Sequence, residues 1–132
     1  MICDDEKEVR SALRRLLSSL PKYSFDYSIM TQETFNGIEC LYKIYKDFRN
    51  GIKYDLLLID ENMPYLKGST VAYVLKEMKN EGQINNIKIV SISGDTYPGT
   101  VKYILSKGVE EIIFKPVNRN SLECLMKSIF SN

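Results

Sequence analysis

Short apolar runs and helical apolar stripes take turns along this chain, and their spacing predicts its elements. Met1 to Cys3 is a brief apolar start, followed by the polar Asp4, Asp5 and Glu6. Val9, Leu13, Leu16, Leu17 and Leu20 recur at helical spacing, and Pro21 closes that helix. Tyr23, Phe25, Tyr27 and Ile29 alternate with polar residues, as on a half-buried strand. Phe35, Ile38, Leu41, Tyr42, Tyr45 and Phe48 mark a second helix that ends near Asn50-Gly51. Leu56 to Ile59 is continuously apolar, which suits a strand buried on both faces. Val71, Val74, Leu75 and Met78 mark a third helix, with Gly82 near its end. Ile87 to Ser93 reads as a fourth strand. Tyr97 to Ser106 reads as a fourth helix with Pro98 in its first turn and Gly108 beyond it. Ile112 to Phe114 is a short fifth strand, and Leu122, Leu125, Met126, Ile129 and Phe130 complete a fifth helix.

Strands alternating with helices predict βαβ units around a parallel sheet. The alternating strand near residue 25 belongs at an edge, and the continuously apolar strands near residues 57 and 90 belong inside. The expected architecture is α/β, three-layered and flavodoxin-like, with sheet order 2-1-3-4-5. The chain has 132 residues, which fits a single domain over 1–132, and 44% of them are hydrophobic, enough for a real core. Asn80 to Asn86 is the most loop-like stretch, and no repeat or low-complexity tract interrupts the pattern.

Charge narrows the function classes. A formal net charge of +1 provides no global field for nucleic acid or an anionic membrane. No apolar run approaches the ~20 residues of a membrane span, and no targeting segment is read, so a cytoplasmic protein is expected. Cys3, Cys40 and Cys124 are widely spaced, which fits reduced thiols packed as small buried hydrophobes. The chain contains no histidine, so it has no Ser-His or Cys-His nucleophile pair and no histidine-ligated metal.

The carboxyl ends of parallel strands share one edge, where open α/β sheets place their ligands. Asp4 and Asp5 follow the first strand, Asp60 ends the third, Ser93 ends the fourth, and Lys115 ends the fifth just before Pro116. Each has an ordinary explanation alone: aspartates cap helices, serine forms turns, and Lys-Pro steps turn at surfaces. Their coincidence on one rim points to chemistry. Three clustered carboxylates repel one another and call for a compensating charge. Mg²⁺ takes oxygen ligands and is typically held by one or two carboxylates plus phosphate oxygens. Asp60 then has the character of a nucleophile toward phosphorus, with the Lys115 ammonium and the Ser93 hydroxyl available to the phosphoryl oxygens.

With these residues placed, the chain resembles the receiver domain of two-component signalling, the CheY-like response-regulator family. The motifs are Asp4-Asp5-Glu6, Asp60-Glu61-Asn62-Met63-Pro64 with Gly68, Ile92-Ser93-Gly94, and Lys115-Pro116, and the likeness covers essentially the whole chain. The resemblance implies a CheY-like (βα)5 fold with Asp60 as phosphoacceptor. It implies a Mg²⁺ site of Asp5 and Asp60, with Asp4 acting largely through water and Asn62 through its backbone carbonyl. It implies that Ser93 is the switch hydroxyl, that Lys115 binds the phosphoryl group, and that the Lys115–Pro116 bond is cis. The implied phosphodonor is a phosphohistidine on a histidine kinase or histidine phosphotransfer protein. Nucleic acid and direct membrane insertion are not implied, and a phosphorylation-dependent dimer is left open. No enzyme activity is implied beyond self-catalysed acceptance and loss of the phosphoryl group.

Some positions depart from the family pattern. Ile112 stands where the family usually has an aromatic residue, so a ring-rotamer readout there is lost. Gly94 replaces a common alanine, and Glu61 and Asp95 add negative charge near the site. Three residues precede Asp4, fewer than a receiver's first strand usually has. The expectation is therefore a free-standing receiver or, preferred, the receiver of a hybrid sensor histidine kinase, in which case this is the cytosolic part of a membrane-bound protein. The main alternative is a pseudo-receiver that acts as an interaction module without phosphorylation, although such modules normally lose an acid or the lysine. A flavin site would want a Gly/Ser/Thr-rich loop where Asp4-Asp5-Glu6 stands. A haloacid-dehalogenase-type phosphatase would want an aspartate where Asn62 stands.

Overall fold

In a computed structural model of the chain, residues 1–21 and 29–130 are described. The elements are β1 (Ile2–Cys3), α1 (Lys7–Ser18), β2 (Glu33–Thr34), α2 (Gly37–Arg49), β3 (Leu56–Asp60), α3 (Gly68–Asn80), β4 (Lys88–Ser93), α4 (Pro98–Ser106), β5 (Glu111–Phe114) and α5 (Arg119–Phe130). The sheet is parallel with order β2-β1-β3-β4-β5, which is the predicted flavodoxin-like topology.

Strand periodicity divides the core. Side chains alternate faces along a strand, so neighbours in β3 serve opposite layers. Leu57 and Ile59 pack with Ile89, Cys40, Ile44, Val71, Leu75 and Ile104 on the face covered by α2, α3 and α4. Leu58 packs with Val90, Ile92, Leu13, Leu17, Leu122 and Leu125 on the face covered by α1 and α5. Leu57, Leu58 and Ile59 are all at most 1% exposed, as expected for a strand covered on both sides.

The first strand is short, but its neighbours are paired. Ile2 is in register with Glu33 on one side and Leu58 on the other. The flanking residues extend the ladder: Met1 O accepts from Leu58 N at 3.0 Å, and Asp4 N donates to Thr34 O at 3.2 Å. The edge strand is corrected. The alternating stretch Tyr23, Phe25 and Tyr27 lies outside the described residues, Ile29 is not in a strand, and Glu33–Thr34 pairs with β1. The start of α2 is also corrected. Phe35 precedes its N-cap, Asn36, whose side chain accepts from Glu39 N at 2.8 Å. Ile38 and Tyr42 are exposed, whereas Cys40 and Ile44 form the buried stripe. The first helix ends at Ser18, three residues before Pro21. Cys3 and Cys40 are buried as expected, but Cys124 is exposed on α5.

Candidate functional site

The rim at the strand carboxyl ends collects the predicted residues. Asp4 follows β1, Asp60 is the last residue of β3, Ser93 the last of β4, and Lys115 follows β5. Asp4, Asp5 and Asp60 each present a carboxylate oxygen, and the three atoms lie within 4.8 Å of one another. Lys115 Nζ is 3.0 Å from Asp60 Oδ1. The Lys115–Pro116 bond is cis.

Burial sharpens the chemistry. Asp4 is 2% and Asp60 4% exposed, while Asp5 faces solvent. Asp4 Oδ1 accepts from Glu6 N at 2.8 Å, an Asx turn that leads into α1 without capping it. Its other oxygen, Oδ2, is buried without a hydrogen-bond partner. Asp60 Oδ1 is also buried without a well-aligned hydrogen bond, although it is ion-paired to Lys115. Burial pushes the Asp4 carboxyl up to about 6, opposed by the Glu6 amide and reinforced by the charge of Asp60. For Lys115, burial acts to lower the pKa, but the contact with Asp60 and the charge of Asp4 outweigh it, and the net shift is upward. An orphaned Asp4 oxygen among three converging carboxylates fits a hard divalent cation.

The remaining residues are distributed around this centre. Ser93 is 1% exposed, and its Oγ accepts from Asp95 N at 3.1 Å. It lines a cleft of about 340 Å³ together with Glu61, Asn62, Lys67, Asp95 and Tyr97. Asn62 is exposed in the loop after Asp60. Ile112 is set apart from the acids, packed against the core face that includes Ile104 and Ile89. A Cβ on Gly94 would meet nothing within 4 Å, so the missing methyl of alanine leaves open space.

The role of Glu61 differs from that of a free charge beside the site. It is 5% exposed, and its carboxylate accepts from Ser69 N at 2.6 Å and from Ser69 Oγ at 2.9 Å. A side-chain acceptor on the first amides of α3 satisfies donors that the helix leaves unpaired. Gly68 completes this closure: its amide donates to Glu61 O at 3.1 Å, and a Cβ there would lie 2.5 Å from Asp60 O. Arg10 is a further contributor not singled out in the sequence. Its guanidinium donates to Asp4 O at 2.8 Å and lies 3.3 Å from Glu33 Oε1. An Arg on a helix that carries Asp4 on its preceding turn is the signal available for it.

The chain belongs to the response regulator receiver domain family, whose family model matches residues 1–127. It is 32% identical over 98 residues to the two-component response regulator-like APRR7 of Arabidopsis thaliana, covering 74% of this chain and 13% of that protein. It is 26% identical over 119 residues to hybrid signal transduction histidine kinase I of Dictyostelium discoideum, covering 89% of this chain and 6% of that protein. The chain thus spans a small part of these relatives. In fold it is similar to a CheY-like receiver domain from Methylobacillus flagellatus, with TM-score 0.76, 20% identity, and coverage of 97% and 94% of the two chains. It is likewise similar to the chemotaxis protein CheY4 of Vibrio cholerae, with TM-score 0.73, 19% identity, and coverage of 98% and 95%.

Proposed function

We propose that this receiver domain is a phosphoacceptor of a phosphorelay and that Asp60 takes the phosphoryl group from a phosphohistidine on a histidine kinase or phosphotransfer protein. The observation that carries this reading is the Lys115 ammonium 3.0 Å from a buried Asp60 oxygen, inside a cluster of three carboxylates. A lysine beside an aspartate is poised to hold the negative oxygens that an acyl phosphate would add. Asp4, Asp5 and Asp60, with the carbonyl of Asn62, would hold Mg²⁺, which would neutralise phosphoryl charge as it transfers. Asp4 keeps one oxygen on the turn into α1 and has the other free toward the ion. Ser93 Oγ, bonded to the Asp95 amide, would exchange that contact for a phosphoryl oxygen and so move the turn after β4. Ile112 has no ring with which to follow that motion, so the change would be read in the β4–α4 turn itself.

On this reading the chain is not an enzyme beyond its own phosphoryl acceptance and loss, and it acts in the cytoplasm. Among the described residues no helix is long and apolar enough to cross a membrane. A place within a hybrid kinase draws support from the Dictyostelium relatives that carry that name. The alternative of an unphosphorylated interaction module draws on the relatives named response regulator-like. One experiment separates the two. Incubation with acetyl phosphate and Mg²⁺ should add a single base-labile phosphoryl group, and Asp60→Asn should abolish it. A wild-type chain that binds Mg²⁺ yet never gains the mass of a phosphoryl group would favour the interaction module.

A further inference from the structure

Helix α2 is apolar on both sides. Its inner face packs Cys40, Leu41, Ile44 and Phe48 into the core. On its outer face Ile38 is 58% and Tyr42 64% exposed, and Phe35, just ahead of the helix, is 55% exposed. A helix that only covers a sheet needs one apolar face, so the second calls for an occupant. Ile38, Tyr42, Tyr45 and Arg49 recur at spacings of four, three and four, which makes them one row along the helix. Charge is sorted by sign along that row. Glu39 lies in the first turn, Lys46 and Arg49 in the last. Lys46 Nζ is 5.9 Å from the centre of the Tyr42 ring, and the Arg49 guanidinium is 5.7 Å from that of Tyr45, so both cations lie over tyrosines of the row. Among the described residues none of Glu39, Lys46 and Arg49 is in an ion pair, whereas Lys43 is held by Asp47 at 3.3 Å.

We propose that the outer face of α2 is an interaction surface whose partner is a second copy of this chain, the two helices packed antiparallel about a twofold axis. Such an axis sets residue i against j and j against i, so the surface must complement itself when reversed. This row does. With Ile38 and Tyr42 at the centre, reversal places Glu39 of each copy opposite Lys46 of the other, one ion pair at each end. Parallel packing would set like charges at the same height. A nucleic acid or an anionic membrane is the poorer occupant, because Glu39 opposes it at one end of the row. No residue of the acidic rim takes part, so the pairing needs no phosphoryl group.

Sedimentation of the unphosphorylated chain over rising concentration tests this. The weight-average mass should climb toward twice that of the chain below about 1 mM, the scale of a small, weak interface. Glu39→Lys and Lys46→Glu should each be monomeric, because each brings like charges face to face. An equimolar mixture of the two should recover the dimer, and so should the chain that carries both changes. Ile38→Ser should abolish pairing with no change of charge. A wild-type chain that stays monomeric at about 1 mM overturns the proposal, as do charge variants that dimerise alone or a mixture that does not recover. Binding of a monomeric chain to phosphatidylserine vesicles would assign the face to a membrane and would equally overturn it. Should a charge variant fail to fold, Ile38→Ser decides: a dimer that survives it is not built on α2.

Discussion

The two oxygens of Asp4 have different surroundings: one is bonded to the Glu6 amide, the other is buried with no partner. That division lets one carboxylate close the turn into α1 and still offer an oxygen to the proposed ion, because each use needs a single oxygen. Gly68 matters for the same rim through space it does not fill. A Cβ there would sit 2.5 Å from the carbonyl oxygen of Asp60, a backbone atom that cannot rotate away. Gly68→Ala is expected to destabilise the protein by about 1–3 kcal/mol, as overpacking does, read as a lower urea midpoint at unchanged slope. Gly94→Ala, where a Cβ meets nothing, should stay within about 0.5 kcal/mol of wild type. Equal effects at the two glycines would refute the close approach at Asp60. The acids and Lys115 were legible because a charge that ends an apolar strand has no packing reason to be there. The bonds of Glu61 were not, since Ser69 is eight residues on, and only the folded loop brings the two together.

Between elements, the exit of α2 is pinned to the entry of β3 by a pair that no periodicity reveals. The Tyr54 hydroxyl donates to the Asp47 carboxylate, and Lys43 Nζ lies 3.3 Å from the same group. The Tyr54 bond, then Lys43, hold the Asp47 carboxyl below its ordinary value of 3.8. A depressed carboxyl pKa gives stability that is fully present above the unfolded value and is lost as pH falls through the native one. Tyr54→Phe should therefore cost about 1 kcal/mol at neutral pH, and that gap should narrow as acid protonates Asp47. Urea unfolding of both proteins from pH 7 to pH 3 checks this; a gap independent of pH would mean that Tyr54 contributes packing alone. The long stripes of α3, α4 and α5 were readable because each presents one apolar face to the sheet. In α2 half of the stripe held, since Leu41, Tyr45 and Phe48 pack against the core. Phe35, ahead of the helix, and Ile38 and Tyr42 within it face solvent, while Cys40 and Ile44 are buried beneath. The edge strand β2 is two residues long, too short for alternation to declare it.

At the scale of the molecule, the sheet is a wall between two apolar layers that share no helix. The interior places of β3 and β4 were legible because both are continuously apolar, whereas β1, also buried on both faces, is too short to declare itself. The assembly of acids from two strands, with Lys115 from a third, then follows from parallelism, since all carboxyl ends lie on one edge. The division into layers has an energetic consequence. Ile44 on α2 belongs to one layer, and Ile92 on β4 faces the other; both are at most 1% exposed. Ile44→Val and Ile92→Val should each cost about 0.5–1.5 kcal/mol, the usual range for a lost buried methylene. Side chains that share no partner lose stability additively to within about 0.5 kcal/mol. The double variant should thus unfold in one transition at the sum of the two losses, because the layers are independent in packing yet fold on one sheet. Two transitions would show layers that melt separately, and a loss well short of the sum would show strain carried through the sheet from one face to the other.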